Sequence, residues 1–330
     1  MRFIVVSHPS THDQKCARRI KLCVLAGLVD IEHIVTNKLF VTKRGISKMQ
    51  IGVSGASGHL GKAVVAELLE RGSGHGIVGI SRNPATVHAA VEARHGDYDR
   101  PETLIAAYRG LDRLLIIPSS EVEAGRRDRH FLSAIDAAAE ASVGHIVMMS
   151  TAASREVDAH EMFAAYFSGE QHLMRTARRW SILRMNYYAE SFAQVAAMSI
   201  GSGVVPGLGE SDVAFVSRAD VAAAAAGILL GDGHAGAIYN ATGPAAIGGR
   251  ERAELLAEII GKPVHFAVMA EAQLRGGMLQ ANVPPQYVAA MIDIERRFVA
   301  GDFNIVTGDV ERLGGRAPRS LRTVLAKQFG

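Results

Sequence analysis

A chain of 330 residues with 48% hydrophobic and 21% charged residues has a globular composition, which excludes disordered and fibrous classes. Its formal charge of +3 divides unevenly: residues 1–48 hold nine Lys or Arg against three acids, which leaves the remainder at −3 and without a basic surface for nucleic acid. No apolar run reaches the ~20 residues needed to span a bilayer, and the Ala-rich stretch from Val221 to Leu230 stops well short.

The first 48 residues read as a segment apart. Their apolar patches, Ile20 to Leu28 and Ile34 to Val41, are broken by charges, and no small-residue cleavage site follows them, so a secretory signal is not indicated. Both cysteines, Cys16 and Cys23, sit here; the body therefore has no disulfide framework, which fits a reducing, cytoplasmic setting. Met49 opens directly onto a strand pattern. The expectation is that 1–48 stands outside the fold, with Met49 as the natural first residue; a small helical appendage is the alternative.

From Gln50 short apolar runs alternate with longer amphipathic stretches, the mark of βα units feeding a parallel sheet. Strands are predicted at Gln50–Ser54, Gly76–Ser81, Arg113–Ile117, His145–Ser150 and Ser181–Met185. Helices are predicted at Leu60–Arg71, Pro84–Arg94, Pro101–Tyr108, Arg127–Ala141 and in a segment ending near Arg178, where apolar residues recur at i, i+3, i+4. Asn83 before Pro84 is a start signal, since Asn caps and proline's fixed φ suits the first helical position. After Met185 the rhythm loosens into Gly-rich turns at Gly201, Gly203, Gly207 and Gly209. A helix follows a capping Asp220, then a strand at Ala237–Asn240 and helices near Gly249–Ile260, Glu271–Leu279 and Pro285–Val299. The fold class is α/β: a Rossmann-type doubly wound sheet over 49–200, with a smaller substrate-side lobe over 201–330 packed on it.

The chemistry begins at Gly55-Ala56-Ser57-Gly58-His59-Leu60-Gly61, a Gly-x-x-Gly-x-x-Gly between the first strand and the first helix. Gly55 permits the tight turn, Gly58 admits a pyrophosphate to the backbone N–H groups, and Gly61 lets helix and sheet approach. The helix start adds unpaired donors and a positive dipole end. Lys62 follows, but Ala63 lacks the Mg²⁺-binding hydroxyl of a nucleotide triphosphate loop. The end of the second strand selects the cofactor: Ile80-Ser81-Arg82-Asn83 offers a hydroxyl and a guanidinium but no carboxylate, which favours NADP(H) over NAD(H). Asp97, after a short third strand, is placed to accept from the adenine amino group.

With these residues the chain from Met49 onward resembles the NmrA-like branch of the atypical short-chain dehydrogenases, within it the quinone oxidoreductase type 2 and triphenylmethane reductase group. Further stretches carry the resemblance: Gly96-Asp97-Tyr98, Pro118-Ser119-Ser120-Glu121-Val122, Arg184-Met185-Asn186-Tyr187-Tyr188-Ala189-Glu190 and Arg218-Ala219-Asp220-Val221. The resemblance implies that Ser119 and Ser120 lie along the cofactor. It also implies that Asn186, Tyr187 and Tyr188 stand beside the reacting carbon, with the Asn186 amide orienting the nicotinamide or an acceptor oxygen. Ordinary short-chain dehydrogenases pair Tyr-x-x-x-Lys, the lysine lowering the phenol's pKa. Here the run is Tyr166-Phe167-Ser168-Gly169-Glu170, and a carboxylate would raise it. Carbonyl and sugar chemistry lose their acid–base pair, whereas a quinone or a cationic dye accepts hydride without one. Ser150, at the usual serine's place, reads as a hydroxyl on the cofactor side.

No pair of the thirteen histidines shows metal-ligand spacing with two further ligands, and His160-Glu161 lacks a second zinc histidine. The expected activity is hydride transfer from NADPH to a small conjugated electron acceptor. A non-catalytic NADP(H) sensor of redox state is the alternative. No metal, membrane or nucleic-acid partner is expected, and a homodimer stays open.

Overall fold

Five runs rich in β-branched or aliphatic residues, each too short for a helix, take up the strand positions the patterning assigns them. The computed structural model describes residues 48–71, 74–123, 125–157 and 163–330; the leader with both cysteines, and His160-Glu161, lie outside the described residues. In chain order the elements are β1 (Gln50–Ser54), α1 (His59–Glu70), β2 (Gly76–Ser81), β3 (Glu92–His95), α2 (Pro101–Tyr108), β4 (Arg113–Ile116), α3 (Arg126–Glu140), β5 (His145–Thr151), α4 (Ala164–Thr176) and β6 (Trp180–Met185). Then come α5 (Ala189–Ser199), β7 (Val204–Gly207), α6 (Arg218–Leu230), β8 (Ala237–Ala241), α7 (Gly249–Ile260), β9 (His265–Val268), α8 (Glu271–Gln280), α9 (Pro285–Val299), α10 (Asp309–Gly314) and α11 (Leu321–Phe329).

Seven strands form one parallel sheet in the order β3-β2-β1-β4-β5-β6-β8. The chain winds outward in both directions from the β1–β4 junction, and that reversal leaves a crevice at the strands' carboxyl ends, where α/β proteins bind ligands. One face is covered by α2 to α5 through Leu104, Tyr108, Phe131, Ile135, Leu173 and Phe192. The other is covered by α1, α6 and α10 through Val64, Leu68, Val221, Ile228 and Val310. The sheet crosses the boundary expected at residue 200, because β8 comes from beyond it. A separate parallel pair, β7 with β9, and a small core of Leu274, Val288 and Ile292 between α8 and α9 build the C-terminal part.

Two expectations need correction. The helix over Pro84–Arg94 shrinks to one 3₁₀ turn at Pro84–Thr86, started as predicted by Asn83 Oδ1 accepting from Ala85 N, after which the chain enters the edge strand β3. The cap of α6 is Ser217, whose Oγ accepts from Asp220 N at 3.1 Å; Asp220 lies inside the first turn, fully buried, with Oδ2 accepting from Ser217 Oγ and Arg319 N.

At the opposite end of the sheet from the crevice, His145 sits beside Arg113 in register and is buried. Ser181 Oγ donates to His234 O at 2.6 Å, so the contact of 2.9 Å with His145 Nε2 is donated by the imidazole. Burial first, then the charges of Arg179 and Arg113, push the His145 pKa down to about 4. The unfolded chain takes up that proton near 6.5 and the folded one resists it, so the contribution is complete above pH 6.5 and is lost as pH falls towards 4. Denaturant titrations between pH 7 and 4 should show that decline, and His145→Gln, which keeps a donor, should flatten it.

Candidate active site

The β1–α1 turn is built to leave donors free. Gly55 takes φ +88°, open to glycine alone at no cost, and Gly55 N and Ala56 N donate to Ile80 O at 3.0 and 3.1 Å, tying the turn to β2. Gly58 ends the turn by donating to Gly55 O and caps α1 in an extended conformation with no side chain over the helix end. Lys62 N is the first helical donor with a backbone acceptor, Gly58 O at 2.9 Å, and no acid occupies the first turn. The amides of His59, Leu60 and Gly61 thus face the crevice as a ready anion site. A Cβ on Gly61 would meet Ala56 Cα at 2.7 Å and the Gly55 carbonyl carbon at 2.8 Å, so the close approach requires glycine.

The crevice has a volume of about 580 Å³. It brings together Gly55, Ser57, Gly58, His59, Leu60, Arg82, Asp97, Ser119, Ser120 and Tyr188; Ala56 is buried just beneath the turn. At one end Ser81 Oγ donates to Ser57 Oγ at 2.8 Å and accepts from Asn83 N, which fixes the backbone that presents Arg82. Arg82 is exposed, and its guanidinium has no carboxylate partner among the described residues. Asp97 is folded into its own turn, with Oδ1 accepting from Asp99 N.

At the other end stand Tyr166, Met185, Tyr188, Ser191 and Arg218. The Arg218 guanidinium lies 5.0 Å above the Tyr188 ring and donates to Ser191 Oγ, while the Tyr188 hydroxyl donates to Met185 Sδ. Burial holds the Tyr187 and Tyr188 phenols well above their ordinary range, so neither supplies a phenolate base. A second cavity of about 470 Å³, between α3, α4 and α9, shares Glu121 and Arg127 as lining residues with the crevice.

Three placements differ from expectation. Asn186 is 2% exposed, and its amide is engaged by main chain rather than aimed at the crevice: Nδ2 donates to Phe303 O and Oδ1 accepts from Tyr187 N. Tyr187 points the other way from Tyr188, its ring 5.0 Å from Phe298 and about 6.2 Å from Phe215 and Phe303, on a small cavity of the C-terminal part. Neither residue lines the crevice. Ser150 is fully buried and donates to Glu170 Oε1 rather than facing a cofactor; Arg184 closes the set, with Nε 2.9 Å from Oε1 and Nη2 2.5 Å from Oε2. The Glu170 carboxylate is therefore held by an arginine and a hydroxyl.

Sequence reasoning missed Arg127 and His130. Arg127 donates to Ser119 O and Glu121 O and lies 5.3 Å over the Tyr166 ring, bracing the loop after β4 against α4. His130 Nδ1 is 2.8 Å from Ser119 Oγ, and its Nε2 is 2.8 Å from Asp99 Oδ1. Both sit on the first turns of α3, where charged residues normally signal solvent. Among the described residues no cluster of His, Cys, Asp and Glu could hold a metal, and no helix is long and apolar enough to cross a membrane.

Residues 55–231 match the NAD(P)H-binding family. The chain is 31% identical to quinone oxidoreductase 2 of Escherichia coli over 71% of its length and 82% of that protein's. The solved NADPH-dependent quinone oxidoreductase of Escherichia coli, complexed with NADPH, aligns with a TM-score of 0.79 at 27% identity, covering 85% of this chain and all of that one. The Citrobacter sp. triphenylmethane reductase complexed with NADP(H) aligns with a TM-score of 0.77 at 26% identity, over 84% and 99%. An uncapped helix behind a glycine turn stands at the switch point of the doubly wound sheet, and the chain is an NAD(P)H-dependent reductase of the NAD(P)H-binding family, in its quinone oxidoreductase and triphenylmethane reductase group.

Proposed function

We propose that the chain uses NADPH to reduce a quinone-like or similarly electrophilic conjugated acceptor. When bound, the reduced nicotinamide supplies hydride. The residues of this chain do the rest. The amides of His59 to Gly61 hold the pyrophosphate, Arg82 pairs with the adenosine phosphate, and Asp97 stands at the adenine end. The loop at Ser119 and Ser120, braced by Arg127, and the wall of Tyr166 and Tyr188 hold the reacting rings. Asn186 supports that wall as a strut, by tying the turn after β6 to Phe303.

The observation that carries the choice of acceptor is the closed Ser150–Glu170–Arg184 set. It occupies the place from which a lysine would activate Tyr166, so the site lacks the Tyr–Lys pair that exchanges a proton with an alcohol. An acceptor must then be electrophilic by itself, and positioning supplies the rate. The deciding experiment mixes the protein with NADPH and a small benzoquinone and follows the absorbance of reduced nicotinamide. Steady consumption supports the proposal; tight cofactor binding with no turnover removes it.

The cofactor preference has its own test. Charge-assisted hydrogen bonds to an exposed phosphate contribute about 2 kcal/mol, or roughly thirtyfold in binding. Arg82→Ala should therefore weaken NADPH by roughly thirtyfold and change NADH by less than threefold, measured by fluorescence titration of each. Equal losses for both would show that Arg82 only supports the turn.

A further inference from the structure

One chain of polar contacts runs from the crevice wall at Ser119 away from the residues assigned to the phosphates and the adenine. Ser119, on the crevice wall, is hydrogen-bonded through Oγ to His130 Nδ1; His130 Nε2 meets Asp99 Oδ1; and Asp99 Oδ2 accepts from Arg126 Nη2 at 2.8 Å. The His130 ring is buried, with the Tyr98 ring 5.7 Å away, Arg127 beside it on α3, and Glu121 reached through Arg126. Arg126 first and His130 second hold the Asp99 carboxyl below the usual carboxylate range, so it stays an acceptor. A carboxylate on Nε2 fixes the tautomer: neutral His130 keeps its proton there and accepts from Ser119, while protonated His130 donates from Nδ1 to Ser119. The order of nitrogens is the reverse of a serine hydrolase triad, where the serine meets Nε2.

We propose that Ser119, His130 and Asp99 form the proton-delivery line for acceptors whose reduction leaves an oxyanion. The proposal rests on the reductase reading above. Two-electron reduction of a quinone by hydride puts a C–H or O–H bond and the electron pair on the acceptor and leaves negative charge on an oxygen. The step starts from His130 protonated on both nitrogens: that oxygen takes the proton of Ser119 Oγ, and the Ser119 O–H bond breaks as the His130 Nδ1–H proton moves to Oγ. His130 ends neutral, still donating Nε2–H to Asp99, and regains its proton from water between turnovers. A cationic triarylmethyl dye takes the same hydride to a neutral product and needs no proton. Ser119 touches the acceptor; His130 is a positioning and relay residue that acts through it.

The two acceptors therefore separate the roles. His130→Gln keeps hydrogen-bonding groups on both sides but cannot relay a proton, and Ser119→Ala cuts the line at the crevice while leaving His130 on Asp99. Each should lower kcat for a benzoquinone by about tenfold or more; His130→Gln should do so with KM within twofold and should lower kcat for a cationic dye by less than threefold. Imidazole ¹⁵N NMR of the cofactor-free protein should find neutral His130 protonated at Nε2. Equal losses with both acceptors, or a His130 tautomer protonated at Nδ1, overturn the relay while leaving the reductase reading intact. Wild-type protein that reduces neither acceptor overturns both.

Discussion

Gly61→Val should reduce NADPH affinity by at least a hundredfold, which is about 2.7 kcal/mol. The branched side chain would start from a Cβ already 2.7 Å from Ala56 Cα and pressed against the Gly55 carbonyl, and both obstacles are main chain. Backbone cannot rotate away as a side chain can, so α1 must lift from the turn, and its free amides move with it. The same displacement loosens Leu60, Val64 and Leu68, which pack on the sheet, and costs a further 1–3 kcal/mol or so of stability. Fluorescence titration gives the first quantity and denaturant unfolding the second. Affinity within threefold of wild type would mean that the turn is not the phosphate cradle.

Arg184→Ala should be the most destabilising single change in the sheet, by about 3–5 kcal/mol, because it leaves Glu170 as an unpaired charge in the interior. The Glu170 side chain is only 1% exposed, and Ser150 alone would remain to satisfy it. An isolated buried carboxylate holds its proton to higher pH than an unfolded one. The deficit of the variant should therefore be small at pH 4 and grow as pH rises towards 7. Combining Arg184→Met with Glu170→Gln removes the charge and should recover much of the loss. Unfolding curves of the single and double variants at both pH values decide the matter; a deficit independent of pH would assign the effect to lost packing instead.

The sheet was legible because its strands are buried on both faces and read as continuous apolar runs, as Leu114 to Ile116 and Ile146 to Met149 do. β3 was not, because Glu92, Ala93, Arg94 and His95 are edge residues with hardly any buried surface, and a helical spacing could be drawn through the same letters. β7 and β9 hid for a different reason: each is four residues long, and each pairs only with the other. In the site, the glycine turn and Arg82 could be placed because their positions follow from chain order along a strand. Side-chain direction could not. Asn186, Tyr187 and Tyr188 are consecutive, yet the turn sends one into a hydrogen-bonded strut, one into a nest of phenylalanines and one to the crevice. His130 and Arg127 were invisible since their partners, Asp99 and the carbonyls of Ser119 and Glu121, are distant in sequence or carry no side-chain signature.

The helix behind the crevice has a consequence of its own. From Val221 to Ala226, α6 is fully buried, with five consecutive alanines wedged between α1 and α10, and at Gly227 even a Cβ would strike the Leu313 carbonyl. Methyl groups have no rotamers to freeze on folding. This partition is nearly bare main chain against main chain, with nothing that can swing aside or refill a gap. It should hold one shape whether the cradle is loaded or vacant, so that adjustment to cargo falls to the longer side chains on the α3 and α4 flank.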